Sequence, residues 1–111
     1  MDELVRRLAE GTHPVAVGGP VATLAELHRR VQELGLVFVK FTGTSGGTDL
    51  GVRLDRDSCV VDGADFTEAT GTVHLEGTLV LNDEPVRCVA DLNLATLSGT
   101  GRLVAMAGSD A

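Results

Sequence analysis

The chain is expected to fold as a single α+β domain, with two N-terminal helices packed on a curved antiparallel sheet of about five to six strands. Three observations predict this. Apolar residues recur at helical spacing in two short N-terminal segments. The period then switches to strand-like alternation at Leu36. From Gly71 to Met106 that alternation runs almost without interruption. Helices gathered at one end of a sequence and strands at the other imply segregated layers, in which a sheet packs its apolar face on the helices. A length of 111 residues suits one domain, and no linker or internal repeat divides it.

In the first segment Asp2 stands as a helix N-cap, Leu4, Val5 and Leu8 form one apolar stripe, and Gly11 ends the run. His13–Val17 (HPVAV) follows as a short strand whose proline suits an edge or a strand start. Gly18-Gly19-Pro20 breaks the chain. Thr23 and Glu26 match the T-x-x-E capping box, Leu24, Leu27, Val31 and Leu34 share one helical face, and Gly35 is placed as the residue just past the end. His28 flanks that stripe.

LVFVKF (Leu36–Phe41) is apolar on both phases, the pattern of a strand covered on both sides. The loop Gly43–Thr48 leads to a second strand in which Leu50, Val52 and Leu54 alternate with Gly51, Arg53 and Asp55, so a hairpin is expected. The acidic stretch after Asp55 is rich in turns, with Asp62-Gly63 a favoured tight-turn pair. In the terminal sheet Val73, Leu75, Leu79 and Leu81 share one face. Val86, Cys88, Ala90, Leu92 and Leu94 share the matching face of the next strand.

Two turns fit within Asn82–Pro85. A four-residue loop sets Glu76 opposite Asp91 and His74 opposite Asn93, whereas a two-residue turn at Asn82-Asp83 sets His74 opposite Asp91 and Thr78 opposite Arg87. Opposed carboxylates disfavour the first. At the level of architecture the layout is comparable to cystatin-like and related cone-shaped half-barrel folds, although no motif marks a family.

Composition narrows the function classes. Trp, Tyr and Ile are absent, and the core must rest on Leu, Val and Ala with Phe38, Phe41 and Phe66. A net charge of −7 argues against nucleic acid, because phosphate backbones need clustered Lys and Arg; the doublets Arg6-Arg7 and Arg29-Arg30 lie on helices beside acidic residues. No apolar run is long enough for a membrane span. The charged, amphipathic N-terminal segment does not resemble a secretory signal, so a cytoplasmic location is expected. Cys59 and Cys88 lack metal-ligand spacing, and Cys88 falls on the apolar phase as a buried thiol.

The leading candidate site is the polar face of the terminal sheet. In phase with His74 it carries Glu76, Thr78, Arg87, Asp91 and Asn93, with Lys40, Arg53 and Arg102 on neighbouring strands. If the sheet curls, these groups converge in one concavity. His74 would then be a general base oriented by Asp91, with Glu76 nearby and Arg87 or Arg102 stabilising developing negative charge. The Gly43–Thr48 loop lacks the strand–loop–helix context and G-K-[ST] ending of phosphate loops. The acidic residues Asp55, Asp57, Asp62, Asp65 and Glu68 fail the calcium-loop pattern. No histidine spacing supports a metal site, no cofactor motif is present, and no nucleophile motif is present.

Two functions follow. The first is a small acidic binding or regulatory accessory module, acting by contact with a partner protein or by self-association as a homodimer, through an open sheet edge or an apolar face. The alternative is a small cofactor-independent isomerase, cyclase or dehydratase that takes a small-molecule ligand on the polar sheet face. The near-continuous apolar strand Leu36–Phe41 favours the first, and the in-phase polar row the second.

Overall fold

The computed structural model describes residues 2–106. It is an α+β structure in which six antiparallel strands close into a barrel. The elements run α1 (Glu3–Ala9), β1 (His13–Val17), α2 (Leu24–Arg29), a π-helical turn (Arg30–Leu34), β2 (Leu36–Phe41), β3 (Thr48–Leu54), a 3₁₀ turn (Arg56–Ser58), β4 (Thr72–Leu81), β5 (Glu84–Asn93) and β6 (Ser98–Ala105). Strands pair in chain order, and β1 closes the ring on β6 through Val15–Gly99 and its neighbours.

The sheet is therefore closed, where the sequence suggests an open curve. Closure removes the two exposed edges of an open sheet. It is made possible by glycines on the inward phase. A Cβ at Gly77 would overlap the Arg53 carbonyl oxygen and crowd Val52, and one at Gly99 would overlap the Asp91 carbonyl. Adjacent strands approach so closely at these points that only glycine fits.

Closure also decides which phase faces in. Val37, Val39, Phe41, Val52, Val73, Leu75, Val86, Leu92 and Leu103 fill the interior, and no polar or charged side chain is buried among the described residues. Val5 and Leu8 of α1 join this cluster, as do Leu27 of α2 and Val31 of the π-helical turn. A small barrel packed this way encloses a core rather than a ligand cavity.

The helix ends follow the sequence with two differences. Asp2 caps α1 by accepting from the Leu4 and Val5 amides at 2.9 and 3.2 Å. Thr23 caps α2 by accepting from Glu26 at 3.2 Å. The Glu26 carboxylate, however, turns to Arg29 and Arg30 at 2.7 and 3.0 Å rather than back to the cap. The expected apolar stripe also loses Leu34, which is 50% exposed. The helix widens into a π turn before Gly35, whose amide reaches back to Arg30 and whose φ is 65°. The extra residue in that turn rotates Leu34 off the buried face.

Asn82 and Asp83 have φ of 50° and 68°, a two-residue type I′ turn. It selects the register that pairs His74 with Asp91 and Thr78 with Arg87. Replacing Asp83 by glycine, which adopts positive φ without a Cβ clash, should stabilise the fold by about 0.5 kcal/mol. A calorimetric Tm above wild type is the expected result; a lower one would contradict this reading of the turn.

Candidate functional site

The polar row lies on the outer, convex wall of the barrel, because the alternate residues Val73, Leu75, Val86, Cys88 and Ala90 occupy the dry interior. The concavity that curling would create around these groups therefore does not form: the sheet curls towards its apolar phase. Four of the expected residues nevertheless meet. His74 Nδ1 lies 2.8 Å from Asp91 Oδ1, and His74 Nε2 lies 2.6 Å from Glu76 Oε2. Arg87 donates through Nε to Glu76 Oε1 at 3.0 Å and through a terminal nitrogen to Asp55 Oδ2 at 3.0 Å. Ser58 adds a hydroxyl donor to the same Asp55 oxygen at 3.0 Å.

The result is a continuous chain, Asp91–His74–Glu76–Arg87–Asp55, laid across β5, β4 and the end of β3. Ionised carboxylates only accept hydrogen bonds, so both His74 contacts are made together only when both ring nitrogens carry protons. Accordingly Glu76 first and Asp91 second raise the His74 pKa above its usual 6.5, against an opposing effect of partial burial. His74 and then Arg87 hold Glu76 below the ordinary carboxylate range. Arg87, helped by Ser58, does the same for Asp55. Both ring nitrogens of His74 are thus engaged by carboxylates.

A pH dependence follows. A folded-state pKa raised above the unfolded 6.5 contributes stability that is fully present below pH 6.5 and lost as pH rises through the folded value. The lowered Glu76 pKa contributes stability present above its usual 4.5 and lost as pH falls through the depressed value. The wild-type Tm should therefore fall as pH climbs above 6.5, and His74→Gln should lack that fall. An NMR titration placing the His74 midpoint at or below 6.5 would contradict the arrangement.

The strand alternation sets Asp55 in phase with Arg53, but its contact with Arg87 is not expected from the sequence. Asp55 follows the outward-facing Arg53 at the end of β3, and its amide donates to the Glu76 carbonyl at 2.8 Å. The β3–β4 register that makes this contact could not be read across the long segment between the two strands. Lys40, Arg53, Arg102 and Asn93 stay outside the chain of contacts; Asn93 instead accepts from the Ala95 amide at 2.8 Å in its own turn.

The other candidates resolve locally. The Gly43–Thr48 loop joins β2 to β3 and closes on itself through Thr44 and Thr48, whose hydroxyls lie 2.7 Å apart. Asp65 accepts from the Thr67 and Glu68 amides in a turn. Among the described residues no group of three or more potential metal ligands converges. Cys59 and Cys88 are free, and burial pushes the Cys88 thiol up to about 12. No helix of the described residues is long and apolar enough to cross a membrane.

A second surface feature adjoins this wall. The β3–β4 ladder consists of two pairs, Arg53–Thr78 and Leu54–Gly77, after which the strands part. A groove of about 390 Å³ opens there, lined by Leu36, Gly51, Arg53, Thr78, Leu79 and Val80. Val80 is 69% and Leu36 37% exposed. The chain matches no protein-family model and no curated protein, so these two surface features are the ground for any functional reading.

Proposed function

We propose that the chain is a small acidic cytoplasmic accessory module that works by protein–protein contact or self-association. The carrying observation is the apolar lip at the interrupted β3–β4 ladder. Val80 and Leu36 stand exposed beside unpaired strand edges, and an unpaired edge is a template for another strand. The acid–base alternative finds less support. His74 faces outward with both ring nitrogens occupied by carboxylates, so no nitrogen is left to take a proton from a small molecule.

The test is the mass of the native assembly in the cells that make the protein. Isolation under non-denaturing conditions should give an assembly larger than one chain, and Val80→Lys should dissolve it. A native mass equal to a single chain would overturn the proposal.

A further inference from the structure

We infer that the open end of the β3–β4 ladder captures the C-terminal residue of a partner protein, with its free carboxylate on Arg53 and its apolar side chain over Leu79. This rests on the reading of the chain as a protein-binding module and names what the partner brings.

The shape of the groove comes from the way the ladder ends. The Arg53–Thr78 rung closes it at one end, and beyond that rung β3 and β4 run apart towards their hairpins. Leu79 belongs to the inward phase and packs on the core, yet it lines the groove. The gap between the strands therefore reaches down to hydrocarbon. Leu36 and Val80 flank it as exposed apolar side chains, and Gly51 puts no side chain in the way. A volume of about 390 Å³ lies at the small end of ligand pockets, which suits a chain end rather than a folded surface.

The backbone on either side of the gap is short of partners. The Leu54 amide donates to the Gly35 carbonyl, so even-numbered residues of β3 turn towards β2 and odd-numbered ones towards β4. The Asp55 amide donates to the Glu76 carbonyl, so even-numbered residues of β4 turn towards β3. Gly51 and Val80 accordingly aim their N–H and C=O groups across the gap at a level where the ladder has no rung. A peptide carries donors and acceptors for both walls. A plain hydrocarbon acid carries none beyond its carboxylate.

Charge names the end of the peptide. Arg53 is exposed, lines the groove and makes no side-chain hydrogen bond or ion pair among the described residues. The acids that share its outward phase on β3 are engaged elsewhere, Asp55 with Arg87 and Ser58, and Asp49 with the Gly19 amide. No acidic side chain lines the groove. Thr78, opposite Arg53 in the register, has a hydroxyl with no partner among the described residues. A guanidinium fork fits a carboxylate. The net charge of −7 repels a doubly charged phosphate more than a singly charged carboxylate.

Titration of the isotope-labelled full chain, followed by NMR, tests the capture. The probes are N-acetylated tetrapeptides ending in leucine, valine or phenylalanine, each as the free acid and as the C-terminal amide, with hexanoate beside them. At least one free acid should bind with a Kd below about 1 mM and shift the Gly51 and Val80 amides. Its amide, and hexanoate, should bind at least about tenfold more weakly. Arg53→Gln should weaken the free acid by a similar factor, and Arg53→Lys should recover part of it. Arg7→Gln removes the same charge from an exposed position on α1 and should change nothing. The comparison of acid with amide uses the wild-type chain, so it stands whatever a variant does to folding.

No binding by any free acid, equal binding of acid and amide, or wild-type binding by a folded Arg53→Gln chain would overturn the inference. Hexanoate binding as tightly as the peptides would overturn the partner's chain end as the source of the carboxylate. If the peptides fail while the native assembly exceeds one chain and Val80→Lys dissolves it, C-terminal capture falls alone. Failed peptides together with a single-chain native mass would overturn the module reading as well.

Discussion

Val39→Asp is expected to leave no folded protein at neutral pH. Val39 is 1% exposed on the inward phase of β2, level with Val17 on one side and Leu50 on the other. The interior around it offers no buried cation and no buried polar side chain among the described residues. An unpaired carboxylate there costs several kcal/mol, a large share of the roughly 5–15 kcal/mol that holds a domain of this size. Protonation relieves part of that cost, so any residual folding should appear on acidification. Leu50→Asp, at the neighbouring inward position, should behave alike. Far-UV circular dichroism with thermal melting checks this. A cooperative transition at neutral pH close to the wild-type Tm would show that the barrel interior is not closed as described.

Gly77→Ala should be nearly as severe, although it adds a single methyl group. The Cβ would occupy the space of the Arg53 carbonyl oxygen, with Val52 Cγ1 close behind. Backbone cannot rotate away as a side chain can, so β3 and β4 must separate at one of the two rungs that join them. A cost of about 3 kcal/mol or more is expected, at the upper end of overpacking effects. Gly63→Ala is the matched control. It lies in an exposed turn with open space around it and should change stability by less than about 0.5 kcal/mol. Urea midpoints for the pair measure both; equal midpoints would refute the close approach at Gly77.

Gly77 also shows where the sequence was legible and where it was not. The alternation of Val73, Leu75, Leu79 and Leu81 identifies β4 and its buried face at once. The same residues do not say whether the sheet is open or closed. That information sits in the glycine that interrupts the apolar phase, together with Gly99 and Gly101 in β6. A glycine inside a strand reads equally as a bulge, a weak point or a close approach until the neighbouring strand is placed. Leu34 illustrates a different limit. Its spacing matches the helical stripe, and only the π turn takes it out.

For the site, the local part of the constellation was readable. His74 with Glu76 follows from strand periodicity, and Asp91 with Arg87 follows once the Asn82-Asp83 turn is chosen. The direction of curvature was not readable. A polar row on a curling sheet can line a hollow or cover a hull, and the sequence of one face does not decide between them. The structure puts the hydrocarbon inside, so the row becomes an ionic brace on the hull. Asp55 joins that brace through a pairing between strands far apart in the chain, which no local pattern encodes.

The pairing of β1 with β6 sets an order of events during synthesis. Val15 must find Gly99, and His13 must find Gly101, before the ring exists. Until the last strand leaves the ribosome, the growing chain is an unfinished ribbon with β1 bare along one margin. The hairpins β2–β3 and β4–β5 can form early from near neighbours, whereas the final stitch joins the two most distant strands of the fold. Late, long-range closure of this kind makes folding slower than the small size of the protein would suggest. It also leaves the nascent protein most exposed to unwanted strand pairing just before it is complete.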